Sequence, residues 1–203
     1  SRGLGDVYKR QDNTGGVVGF GDGDGGTVTG CYNTGNITGN NKGGGVVGEN
    51  DGTVTGCYNT GSITGNNKVG GVVGYNEGGY NEGGTVTDCY NTGSVTGERF
   101  VGGVVGENRG TVTNCYNMGS VTGDESIGGV VGYNDGGTVV NCYYYIGCCV
   151  NSDLYGIALT NEQMLRAESF EGFDFETVWT MDGNPGYSYP KLCLLYTSPS
   201  PRD

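Results

Sequence analysis

Thiols, phenols and carboxylates recur at fixed places along this 203-residue chain, and their spacing decides what chemistry they could do. Cys31, Cys57, Cys89, Cys115 and Cys142 occupy one position in successive copies of a sequence unit, each followed by a tyrosine, while Cys148 and Cys149 are adjacent. A zinc site would call for Cys-x-x-Cys pairs or histidine, and the chain has no histidine. Disulfide frameworks use uneven spacings, so the five repeated cysteines read as buried thiols behaving as small hydrophobes. Asp22 and Asp24 are spaced as in some calcium loops. Calcium takes roughly six to eight oxygens, however, and no other copy keeps the pair, so no metal ligand is assigned. Glycine-rich runs such as Val69 to Gly74 lack the strand-to-helix setting of a phosphate loop, so no cofactor-binding residue is assigned either.

Parallel solenoids often host polysaccharide lyases and hydrolases, which need paired carboxylates, or carboxylates with a basic partner, on one face. Here the basic residues Lys42, Lys68, Arg99, Arg109, Arg166 and Lys191 are scattered along the sequence. No catalytic residue is assigned, and the expectation is a protein that is not an enzyme. Glu49, Asp51, Glu107 and Asp135 read as a solvated rim of turn acids. Tyr32, Tyr58, Tyr90, Tyr116 and Tyr143 form a candidate aromatic stripe, either a platform for sugars or a partner protein, or a stack that stabilises itself.

The elements that must position these groups are short strands. With 45 glycines the composition resembles a linker, but Val, Ile, Thr and Tyr are interleaved at fixed intervals. The unit is clearest in VGGVVGENRGTVTNCYNMGSVTG, Val101 to Gly123. Copies run Gly15 to Lys42, Gly43 to Lys68, Val69 to Phe100 and Val101 to Ser126, with a fifth from Ile127. A period in this range signals a solenoid, and the absence of leucine from the copies argues against leucine-rich repeats. The third copy is longer because Tyr75 to Gly79 is duplicated as Tyr80 to Gly84, marking an exposed turn.

Three β-branched runs bounded by Gly, Asn and Asp predict three strands per triangular coil. Coils stacked about 4.8 Å apart make five of them rise roughly 24 Å. Val28, Val54, Val86, Val112 and Val139 should form one inward column, and Ile37, Ile63, Val95 and Val121 another. A straight strand would bury Tyr with Val and expose Cys. Five stacked tyrosines overfill a narrow coil, so a bend is expected at Gly30, Gly56, Asp88, Asn114 and Asn141, turning Cys in and Tyr out. Asn33, Asn59, Asn91 and Asn117 are then placed to form an amide ladder. After Cys142 the pattern dissolves. Thr160 to Ala167 reads as a short helix with Thr160 as N-cap and Gln163 in the capping-box position. Phe170, Phe173, Phe175, Val178 and Trp179 supply bulk to cap the last open edge.

The two ends differ from everything between them. Ser1 to Gln11 can be back-translated so that its reverse complement, read from the second base, encodes Cys-Leu-Leu-Tyr-Thr-Ser-Pro-Ser-Pro-Arg, which stands at 193–202. This resembles a sequencing adapter translated in both directions, so both ends are excluded from fold reasoning. The organisation read from the sequence is therefore 1–11 adapter-derived, 12–156 repeats, 157–192 cap and 193–203 adapter-derived. The remainder holds six basic against 20 acidic residues. That balance repels nucleic acid and anionic lipid, and no apolar run is long enough to predict membrane insertion within the fragment.

GGVVGENRGTVTNCYNMGSVTG and its copies resemble the GLUG motif, a repeat of bacterial surface proteins that also occurs beside immunoglobulin-A-specific metallopeptidases. The segment LTNEQMLRAESFEGFDFETVWTMDGNPGYSYPKL resembles the one that often ends such arrays. The resemblance implies an all-β, right-handed parallel β-helix of about five three-strand coils with a C-terminal cap containing a short helix. It further implies an extracellular or cell-surface, adhesin-like module with no catalytic residues and no cofactor. A host or cell-surface glycan or protein is the partner expected of the tyrosine stripe. The alternative is a spacer or substrate-binding region of a secreted peptidase or polysaccharide-degrading enzyme.

Overall fold

The computed structural model describes residues 7–8, 12–20, 26–79, 83–149, 155–181 and 189–193. Each β-branched run pairs in parallel with its own copy in the next coil. Val54 lies beside Val28 and Val86, and Val112 beside Val86 and Val139. Ile37, Ile63, Val95 and Val121 pair in the same order. The chain is thus an all-β parallel β-helix with five columns of parallel strands, completed by one short antiparallel pair of Trp179–Thr180 with Lys191–Leu192.

The three expected strands per coil become five. One coil runs Asn67–Gly70, Val73–Asn76, Thr85–Thr87, Tyr90–Asn91 and Val95–Thr96. The three sequence runs stand where they were expected, but two of them are broken by bends. In the Gly-Gly-Val-Val-Gly run the break falls at Gly71, where a Cβ would strike the Gly103 carbonyl and the Asn91 side chain. In the Cys-Tyr-Asn run it falls on the residue before cysteine. Gly30, Gly56, Asp88, Asn114 and Asn141 all take positive φ, between 50° and 60°.

That bend sets what is inside. Cys57, Cys89, Cys115 and Cys142 join Val54, Val86, Val112, Ile63 and Val95 in the coil core, while Tyr90, Tyr116 and Tyr143 face away into a second cluster. Val28 and Val139, at the two ends of their column, are only partly buried. The amide ladder forms as the sequence predicts. Asn33 Nδ2 donates to Asn59 Oδ1 at 2.7 Å, Asn59 to Asn91 at 2.7 Å and Asn91 to Asn117 at 2.8 Å. A second ladder, not anticipated, joins Asn50, Asn76, Asn108 and Asn134 at 2.8, 2.8 and 2.7 Å.

The repeats end at Tyr143–Tyr145, and Ile157–Leu159 then adds one more parallel strand to the tyrosine column. The helix is shorter than expected, Asn161–Met164, but its capping box is complete: Thr160 accepts from Gln163 N–H and the Gln163 side chain accepts from Thr160 N–H. Beyond that strand, the described residues of the C-terminal segment pack on the side of the coils, against the tyrosine stripe. The backbone of Val7–Tyr8 pairs with Ile37–Thr38, and Cys193 N–H donates to the Val178 carbonyl at 2.8 Å. Such rungs need only backbone donors and acceptors, so residues foreign to the repeat can occupy them.

Asn91 and Asn33 each exchange two bonds with the glycine two residues on, but Asn91 has ladder bonds on both sides and Asn33, among the described residues, on one side only. Asn91→Ala should cost roughly 3 kcal/mol and Asn33→Ala roughly 1–2 kcal/mol, read from urea unfolding. Equal losses at the two positions would contradict the ladder.

Candidate functional site

Two lateral faces gather the groups that could bind or react. The first is the tyrosine stripe. Tyr32, Tyr58, Tyr90 and Tyr116 stack with ring centroids 5.2, 4.9 and 5.2 Å apart and nearly parallel planes. Ring faces are thereby used against one another, and outward the stack shows ring edges. The C-terminal segment covers the far half of the stripe. Phe170 and Phe173 meet Tyr143 edge-on, and Trp179 tilts against Tyr90 and Tyr116. The Tyr116 hydroxyl donates to the Pro190 carbonyl and the Tyr143 hydroxyl to Glu171. Burial pushes the Tyr90 and Tyr116 phenols well above their ordinary range. Tyr32 and Tyr58, at the other end, remain half-exposed.

The second face corrects the expectation of a solvated acidic rim. Glu49 and Glu107 are only 5% and 2% exposed. Lys42 pairs with Glu49 at 2.6 Å and Lys68 with Glu107 at 3.0 Å, while Arg109 bridges Glu107 and Asp135 at 3.2 and 2.9 Å. Tyr75 stands between the two buried acids in the same strand column, with the Lys68 Nζ 4.1 Å and the Lys42 Nζ 5.0 Å from its ring centroid. Basic residues scattered in sequence are thus brought together by stacking. Lys42 and Lys68 point here because they take positive φ, 48° and 54°, a kink the sequence reading missed. The signal was present in the alternation of Glu49, Tyr75, Glu107 and Tyr133 at one repeat position.

This alternation has a physical reason. In-register coils would set identical acids about 4.8 Å apart, and like charges directly opposite one another repel. An aromatic in every second coil separates them, and the lysines neutralise what remains. Chemically, the face holds carboxylates, ammonium groups and a phenol, but their charges are spent on one another.

The Asp22–Asp24 pair lies outside the described residues. Among the described residues no group of three or more His, Cys, Asp or Glu is placed to hold a metal ion. No helix among them is long and apolar enough to cross a membrane, which leaves β-barrels unaddressed.

In-register coils whose side chains pair with their own copies define a β-solenoid repeat protein. The family model for the GLUG motif matches residues 65–96, one turn of this solenoid. A solved structure from Bacteroides ovatus, provisionally assigned as an immunoglobulin A1 protease, superposes with a TM-score of 0.57 at 17% identity, covering 80% of this chain and 70% of the other. At that identity the likeness concerns the fold. No curated protein compared with the chain matches its sequence.

Asp88 links the coils to the C-terminal segment by accepting the Trp179 indole N–H at 3.2 Å. Burial holds its carboxyl above the ordinary carboxylate range, against the hydrogen bonds from Trp179 and Asn114. The folded state therefore binds this proton more readily than the unfolded one, so the stabilisation is present in acid and is lost as pH rises through the raised pKa. Asp88→Asn keeps the acceptor without the charge and matches Asn114 and Asn141, which share its left-handed backbone. The variant should melt higher at neutral pH, with the difference vanishing in acid. A variant that melts lower at neutral pH would contradict this.

Proposed function

We propose that this chain is a non-catalytic structural and adhesive repeat module of a secreted or surface-anchored bacterial protein. One observation carries the reading: the polar and charged groups that recur from coil to coil are consumed in holding coil to coil. Both asparagine ladders bond within their own columns, and the buried acids are neutralised by lysines of the same face. An active site would instead hold such groups out of register and open to a substrate. The arrangement suits a rod that keeps its shape without a ligand. Adhesion would use the uncovered end of the stripe, where the half-exposed Tyr58 offers its ring edge and hydroxyl to a glycan or protein partner.

A second reading is a spacer within a secreted enzyme. The solenoid likeness to the Bacteroides ovatus protein favours it.

The test is to immobilise the chain and probe it with arrays of cell-surface glycans and extracellular proteins, while assaying immunoglobulin A1 and polysaccharide cleavage in parallel. Saturable binding that weakens in Tyr58→Ala, with no cleavage, is the expected result. Turnover of either substrate by the purified chain would overturn it.

A further inference from the structure

Beyond Tyr145 the chain turns through Ile146 and Gly147 and returns to the coil. Cys148 N–H donates to the Tyr145 carbonyl at 2.9 Å, and the Cys148 carbonyl accepts Val121 N–H at 2.8 Å. In earlier coils that acceptor is a serine: Ser62 for Ile37, Ser94 for Ile63 and Ser120 for Val95. Cys148 and Cys149 therefore stand where the fifth coil would place its serine and β-branched residue. The first amide ladder stops at the same spot. Tyr144 takes the register position after Asn117.

The Cys148 and Cys149 sulfurs are 3.0 Å apart. Cys148 is buried against the coil core and Cys149 is half-exposed beside it. The cysteines of the repeat column differ in that Cys57, Cys89 and Cys115 are wholly enclosed, each bonded through sulfur to a backbone carbonyl two residues earlier. An oxidant dissolved in water reaches Cys149 before these enclosed thiols; Cys31 and Cys193 are half-exposed as well, and what sets Cys149 apart is a second sulfur 3.0 Å away.

We propose that Cys148 and Cys149 are an oxidisable vicinal dithiol, a modification site that closes into a disulfide between consecutive residues and fixes the terminal rung of the solenoid. The co-reactant is a low-molecular-weight disulfide. The Cys149 thiolate attacks one of its sulfurs, forming a mixed disulfide and expelling one thiolate. Cys148 gives up its proton to solvent and attacks the Cys149 sulfur, forming the Cys148–Cys149 bond and expelling the second thiolate. The pair loses two electrons and two protons, and the external disulfide is reduced to two thiols. In the reduced state two sulfurs this close suit a bidentate thiophile such as a trivalent arsenical.

The test uses the full chain, reduced and then freed of reductant, with phenylarsine oxide and oxidised glutathione as probes. Expected is one bound arsenical, lost in Cys149→Ser. After glutathione treatment, the wild-type Cys148–Cys149 peptide should lack two hydrogens, resist alkylation and take up no arsenical. Peptides with Cys57, Cys89 and Cys115 should be alkylated only after denaturation. Glutathione retained on Cys149, a disulfide between Cys57 and Cys89, or arsenical uptake unchanged in Cys149→Ser would each overturn the proposal. Peptide mapping of the wild-type chain decides the matter even if the serine variant does not fold.

Discussion

Parallel stacking in register brings every side chain against its own copy, about 4.8 Å away, and each column of this solenoid answers that constraint. Valine and isoleucine satisfy it by packing, as in Val54, Val86 and Val112. Asparagine satisfies it by carrying one donor and one acceptor group, so each amide bonds the coil above and the coil below. Tyrosine stacks ring on ring. Charge cannot satisfy it, so the acidic column is interrupted by Tyr75 and Tyr133, and its acids are met by Lys42, Lys68 and Arg109. Glycine appears where the neighbouring coil approaches too closely for a Cβ, as at Gly71 beside Asn91.

Much of this was legible in the sequence, because a column's identity depends only on periodicity. The valine and cysteine columns, the bend before cysteine, the first amide ladder and the capping box at Thr160 all follow from local pattern and steric choice. Periodicity does not say how sharply a run folds within one coil. Three runs therefore yielded five strands, and the Lys42 and Lys68 kink went unseen. The burial of Glu49 and Glu107 depends on which neighbouring strands face each other, and a carboxylate beside glycine and asparagine looks the same in sequence as a solvated turn. The second ladder was hidden for a related reason: Asn50, Asn76, Asn108 and Asn134 each follow a residue that alternates between Glu and Tyr, so the segment read as a variable turn.

The placement of the C-terminal segment joins architecture to function. A strand at Ile157–Leu159 extends one column, but Trp179, Phe170 and Phe173 are spent on the tyrosine stripe. The far half of the tyrosine stripe is thus internal to the fold, and Tyr32 and Tyr58 at the other end stay half-exposed. The same economy applies to the charged face, where the groups an enzyme would need are bound to one another. A rod stabilised by self-complementary columns keeps its shape without a ligand, which is the ground for the structural role proposed above.

The self-bonding amide column is the claim on which this account rests, and it can be observed directly. Nuclear magnetic resonance on the chain labelled with ¹⁵N and ¹³C can detect scalar coupling through a hydrogen bond. Coupling from the Asn59 side-chain amide nitrogen to the Asn91 side-chain carbonyl carbon, and from Asn91 to Asn117, is predicted, with those amide protons protected from solvent exchange. Side-chain amides that show no such coupling and exchange as freely as in the unfolded chain would contradict in-register stacking.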